Sequence, residues 1–162
     1  MGFRAWFIRR FHPRLTRPVE MEGFRQGSKT PDEPLGKQDR IRVGRYGESV
    51  AAVYLKGCGY RVLRRNHKAA RGGEVDLVCR EKDTLVFVEV KTRTSLKFGR
   101  PAEAVTPSKQ KLVARGGLDW LRLLNSPEVA ARFDVVEVLL EDGSPPEVSL
   151  IRDAFELPEP YV

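Results

Sequence analysis

Cysteine, histidine and long apolar runs are all scarce in this chain. Its 162 residues include only two cysteines, Cys58 and Cys79, and only two histidines. No Cys or His cluster surrounds them, so a zinc site is not indicated, and we expect both thiols to be reduced and buried. No apolar run reaches the roughly 18 residues needed to span a bilayer, so no stable membrane insertion is expected. The opening MGFRAWFIRRF breaks its apolar residues with arginines and has no long apolar core, so a signal peptide is not expected either. These absences together point to a cytoplasmic protein.

Charge is plentiful and unevenly placed. The net charge is +7, and hydrophobic residues make up 41%, enough for one core. Residues 41–116 carry seventeen basic and seven acidic groups, net +10, whereas residues 117–162 carry three basic and ten acidic groups, net −7. A basic stretch of this kind suits a polyanion, because Lys and Arg neutralise phosphates and release counterions. A merely solvated basic surface is the alternative.

The organisation is a basic N-terminal extension, one α/β domain and an acidic tail. Residues 1–40 contain Pro13, Pro18, Pro31 and Pro34 and the linker-like QGSKTPDEPLGKQD, and are expected to be poorly ordered. The domain is expected over 41–141, and the acidic segment 142–162 carries a candidate short edge strand at 147–151. Within the domain a helix is expected from Val43 to about Leu55, stopped by Gly57 and Gly59. Strands follow at 60–66, 75–80, 84–92 and 132–140. Thr106 and Pro107 mark the start of a second helix, running to about Leu124, with Thr as cap and Pro at the first helical position. Gly116 and Gly117 lie inside it and weaken it by roughly 1 kcal/mol each relative to Ala, unless two elements pack closely there or the helix bends. The element order gives an α/β fold with a mixed sheet.

Asp76, Glu89 and Lys91 interrupt runs of aliphatic residues in two adjacent strands. Side chains alternate faces along a strand, so Leu85, Phe87, Glu89 and Lys91 share one face. With a two-residue turn at Lys82–Asp83, Glu81 stands opposite Thr84 and Asp76 opposite Glu89. Such a pair lies about 4.5–5.5 Å apart at Cβ. Two carboxylates that close repel unless a positive charge sits between them. A divalent cation of the Mg²⁺ type, which takes oxygen ligands, meets that need. The alternative is a solvated strand face, and a one-residue slip of register would undo the pairing. Glu48 recurs with Ala52 and Leu55 on one helix face and is a candidate third acid; an exposed helix acid paired locally, as with Arg45, is equally compatible.

These residues resemble a known family. Asp76 followed by Glu89-Val90-Lys91 is similar to the Asp…Glu-x-Lys signature of the restriction-endonuclease-like superfamily. The blocks GRYGESVAAVYL (44–55), GYRVLRRN (59–66), GGEVDLV (72–78), LVFVEVKTR (85–93), FGRPAEAV (98–105) and RFDVV (132–136) together resemble the bacterial YraN-type family of predicted endonucleases, itself similar to archaeal Holliday-junction resolvases. The resemblance implies a mixed β-sheet flanked by helices, and Mg²⁺ or Mn²⁺ held by Asp76, Glu89 and the Val90 carbonyl, with Glu48 completing the site. It also implies that Lys91 orients or activates the attacking water. The expected activity is metal-dependent hydrolysis of DNA, with structured or branched DNA as substrate. Arg45, Arg64, Arg65, Lys68, Arg71, Arg93, Lys97, Lys109 and Lys111 flank the site and are the expected nucleic-acid contacts. Symmetrical cutting of two strands calls for a homodimer, with Phe98 or Trp120 as candidate contacts. The competing reading is a non-catalytic nucleic-acid-binding module that keeps the nuclease fold.

Overall fold

The structure, a computed structural model, describes residues 8–9, 20, 35–95, 105–125 and 129–157. Along the chain come β1 (Ile8–Arg9), α1 (Lys37–Gly57), β2 (Arg61–Lys68), β3 (Glu74–Glu81), β4 (Thr84–Arg93), α2 (Pro107–Leu124), β5 (Ala131–Leu139) and β6 (Glu147–Phe155). The six strands form one sheet in the order β1-β6-β5-β4-β3-β2. β2, β3 and β4 form an antiparallel meander, β4 and β5 are parallel, and β6 returns antiparallel to β5. The parallel step needs a crossover, and α2 supplies it.

Alternation of aliphatic residues decides what each strand face meets. Val86, Val88, Val136 and Val138 pack with Ala51, Tyr54 and Leu55 of α1. Leu85, Phe87, Phe133 and Val135 pack with Val113 and Ala114 of α2. The sheet is therefore covered by one helix on each face. This is the mixed α/β architecture expected of a restriction-endonuclease-like domain.

Two close approaches seat the helices. A Cβ at Gly116 would lie 2.7 Å from Val75 Cγ2, and one at Gly117 would lie 2.9 Å from Phe87 Cδ2. The glycine pair thus lets α2 sit directly on β3 and β4, which settles the choice between close packing and a bend. On the other face, a Cβ at Gly47 would overlap the Thr92 side chain, so α1 touches β4 near its C-terminal end. Thr106 caps α2 as expected, its Oγ1 accepting from the Lys109 N–H at 3.4 Å, with Pro107 at the first turn.

Several boundaries differ from the sequence reading. α1 starts at Lys37, not Val43, inside the segment expected to be poorly ordered; Leu35 packs against the α1 core, and Asp39 sits in the first turn, where the helix dipole favours an acid. β6 is a nine-residue strand rather than a short edge, because Val148, Leu150, Ile151 and Phe155 are all buried and β1 pairs along its outer side. Cys79 is buried and free as expected, whereas Cys58, also free, is only half-buried at the end of α1. Residues 1–7, 10–19, 21–34 and 96–104 lie outside the described residues, and with them Lys97, Phe98 and Arg100.

Candidate metal-binding active site

The β3–β4 hairpin turns at Lys82–Asp83, and its ladder runs from Glu81–Thr84 to Leu77–Val88 in the expected register. The next step would pair Asp76 with Glu89. There the backbones part. β3 continues beside β2 as far as Glu74, while β4 continues beside β5 as far as Arg93. A notch therefore opens between the start of β3 and the end of β4. Within it the Val90 N–H donates to Asp76 Oδ2 at 2.7 Å, a side-chain acceptor where a continuous ladder would use a carbonyl.

Both acids of the notch are nearly out of water: Asp76 is 9% exposed and Glu89 1%. Glu89 Oε1 accepts from Lys91 Nζ at 2.8 Å and pairs with Lys109 Nζ at 3.2 Å. Glu89 Oε2 is buried with no hydrogen-bond partner. Burial, and then the Glu89 carboxylate, push the Asp76 carboxyl up to about 7, against the pull of the Val90 N–H and Lys109. Burial pulls Lys109 down, but Glu89 and Asp76 outweigh it and hold its ammonium above the ordinary value. Glu48, half-buried on α1, is near enough to add to the upward push on Asp76.

These residues suit a hard divalent cation. The donors are carboxylate oxygens, an orphaned buried oxygen points to a missing partner, and the mutual repulsion of two buried acids is relieved by positive charge. Among the described residues, no three His, Cys, Asp or Glu side chains close up into a ready ligand set. Asp76 and Glu89 form the centre, and Glu48 borders it. Val90 enters the site through its N–H.

The basic residues divide. Lys109, expected on the nucleic-acid surface, instead lies inside the notch on Glu89. Arg45, Arg64, Arg65, Lys68, Arg71 and Lys111 are exposed, and Arg93 is half-exposed. Lys68 also pairs with Glu74 at 3.8 Å. Trp120, suggested as a dimer contact, is half-buried on the α2 side with its ring 5.1 Å from His67, edge to face.

A further buried acid, Asp134, is not singled out by the sequence reading. Asp134 is fully buried and accepts from Arg132 Nε at 2.9 Å, Tyr60 Oη at 3.2 Å and the Asp153 N–H at 2.9 Å. Arg132 also donates to Glu81 Oε2 at 2.7 Å. This network joins the first residues of β5 to the hairpin end of β3, away from the notch. It raises Tyr60 well above its ordinary value, by burial first and Asp134 second. The signal was present, since Asp134 interrupts an aliphatic run as Asp76 and Glu89 do. The difference is completeness: Arg132, Tyr60 and the Asp153 N–H satisfy both oxygens of Asp134, whereas Lys91, in the same two-residue relation to Glu89, leaves Glu89 Oε2 without a partner.

The comparisons with known proteins agree with one another. Residues 47–138 match the model of the Uncharacterised protein family UPF0102. A UPF0102 protein of Geotalea daltonii is 44% identical over 122 residues, covering 75% of this chain and 95% of the relative. One from Trichlorobacter lovleyi is 47% identical over 125 residues, covering 76% and 98%. One from Rhodococcus opacus is 45% identical over 115 residues, covering 71% and 97%. The matched region 47–138 holds the notch, the second half of α1, all of α2 and the Arg132–Asp134 pair, and the chain belongs to the UPF0102 family.

Proposed function

We propose that this protein is a metal-dependent endonuclease that hydrolyses DNA phosphodiester bonds, with branched or structured DNA as the preferred substrate class. The observation that carries this reading is the pair of buried acids, Asp76 and Glu89, with an orphaned oxygen and two ammonium groups at the same notch. Asp76 and Glu89 would hold Mg²⁺ or Mn²⁺, with the Val90 carbonyl and Glu48 as further ligands. When bound, such an ion supplies Lewis-acid polarisation of the phosphate and acidifies a water. Lys91 and Lys109 supply fixed positive charge where the phosphate gains negative charge.

The test is cleavage of labelled four-way junction, flap, single-stranded and duplex DNA with Mg²⁺, Mn²⁺ or EDTA. Wild type is compared with Asp76→Ala and Glu89→Ala proteins purified identically. The expected outcome is metal-dependent cutting that falls by at least roughly a hundredfold in either variant, as for removal of a transition-state contact. Equal cutting by wild type and variants would refute the proposal. A second reading draws on the ion pairs themselves: two ammoniums balance the two acids without any metal. On that reading the protein binds DNA without cutting it, and binding is insensitive to Mg²⁺.

A further inference from the structure

Beyond the notch, a pocket of about 490 Å³ opens between the loop after β2 and the outer flank of α2, with Arg71, Gly72, Arg115, Asp119 and Arg122 among its lining residues. Three of these residues carry guanidinium groups and one a carboxylate. That carboxylate is engaged: Asp119 Oδ2 lies 3.0 Å from His67 Nε2. Arg115, Asp119 and Arg122 recur at spacings of four and three, so they share one flank of α2. The loop that carries Arg71 is built, not trailing. The Ala69 N–H donates to the Gly73 carbonyl at 3.0 Å, and the Gly72 N–H to the Ala69 carbonyl at 3.1 Å. Gly73, at φ +131, presses on α2 so closely that a Cβ there would lie 2.7 Å from the Gly116 N. The same glycine contact fixes the loop to the helix and holds Arg71 across from Arg115 and Arg122.

We propose that this pocket is a second phosphate-binding site, which grips the DNA backbone at a distance from the cutting notch. The inference rests on the nuclease reading of the notch. Arginine suits the role, because its planar fork binds phosphate oxygens in pairs. Geometry links the two sites. The loop runs directly into β3 and Asp76, and α2 runs from Lys109 in the notch to Arg122 in the pocket. Arg115 and Arg122 lie six and thirteen residues from Lys109, so at 1.5 Å each the pocket extends from about 9 to about 20 Å along α2, roughly three to six base-pair rises of 3.4 Å. The pocket therefore sets the length of DNA arm that the protein holds firmly: about half a helical turn beyond the scissile phosphate is needed to reach Arg122 at its far edge. An arm shorter than that reaches the notch but not Arg122.

The experiment measures DNA binding in EDTA, so that cutting plays no part. A labelled four-way junction with long arms is titrated by fluorescence anisotropy between about 50 and 200 mM salt. The proteins are wild type, Arg71→Ala/Arg122→Ala, and Arg80→Ala as a control. Arg80 is exposed at the hairpin turn and pairs with Asp83. Losing two phosphate contacts should lower the slope of log K against log salt by about 1.8, and the control should match wild type. A junction with arms shorter than the span should bind wild type and the double variant alike. A double variant with the wild-type slope would overturn the pocket, while metal-dependent cutting lost in Asp76→Ala would leave the nuclease reading standing. Wild type that binds no DNA at any salt would overturn both. Matching melting temperatures confirm that the exposed substitutions leave the fold intact.

Discussion

Asp76→Asn should make the protein more stable at neutral and alkaline pH while abolishing the proposed metal-dependent cutting. The carboxyl is held at about 7, against an ordinary value of 3.8, by burial first and Glu89 second. At 1.36 kcal/mol per pH unit this difference is worth about 4 kcal/mol, the most that neutralising the group can return. Asn keeps the acceptor for the Val90 N–H and offers an N–H to the Glu89 side of the notch, but remains a buried polar group, so about half of that figure is expected. The sign follows from linkage. The native state holds the Asp76 proton more tightly than the unfolded chain does, so wild-type stability falls as pH rises from about 4 through about 7. The advantage of Asn should therefore be absent below about pH 4 and full by pH 8, worth roughly 4–8 °C in melting temperature for a chain of this size. The assay is thermal denaturation by circular dichroism from pH 4 to 8 without metal. Added Mn²⁺ should then raise the melting temperature of wild type and not of the variant, since a ligand stabilises only the state that binds it. A variant no more stable than wild type at pH 8, or one whose advantage ignores pH, would refute the idea of a strained acid pair.

Two further substitutions test the frame around the site. Gly116→Ala improves helix propensity by roughly 1 kcal/mol, yet its Cβ meets Val75 Cγ2 at 2.7 Å and the Glu74 backbone at 3.2 Å; a net loss of about 1–2 kcal/mol is expected in urea denaturation, and a gain would mean that α2 does not sit on β3 as described. Asp134→Ala removes the fully buried partner of Arg132 and the acceptor for the Asp153 N–H; it should cost about 3–5 kcal/mol and lower the urea midpoint accordingly, whereas an unchanged midpoint would deny the network a structural role.

The network at Asp134 and the notch at Asp76 show how far one signal reaches. Both appear in sequence as an acid inside an aliphatic run. In both the acid is buried. One is satisfied by an arginine on its own strand, and the other faces a second acid. The pattern marks burial of a carboxylate, but the partners that complete or fail to complete its shell, Tyr60 and the Asp153 N–H at Asp134 and Lys109 at Glu89, come from elsewhere in the chain, so it does not distinguish a structural tie from a reactive centre. Lys109 makes the same point. It sits in an ordinary first helical turn, and only the seating of α2 on Gly73, Gly116 and Gly117 brings its ammonium to Glu89.

The sequence by itself determined the elements and the local geometry. Alternation, turn length and the Thr106–Pro107 start depend on neighbouring residues, so the strand faces, the Lys82–Asp83 turn and the beginning of α2 could be read directly. The shared face of Glu89 and Lys91 follows from the two-residue period of a strand. The tertiary structure decided what distant residues share. It placed the gap where β3 and β4 part, brought Lys109 and Glu48 to that gap, and set Arg71 across from Arg122. It also turned 147–155 into a full strand and carried α1 back to Lys37. Those outcomes depend on which surfaces the helices and strands bury against one another, and burial of that kind is settled only when the whole sheet is assembled.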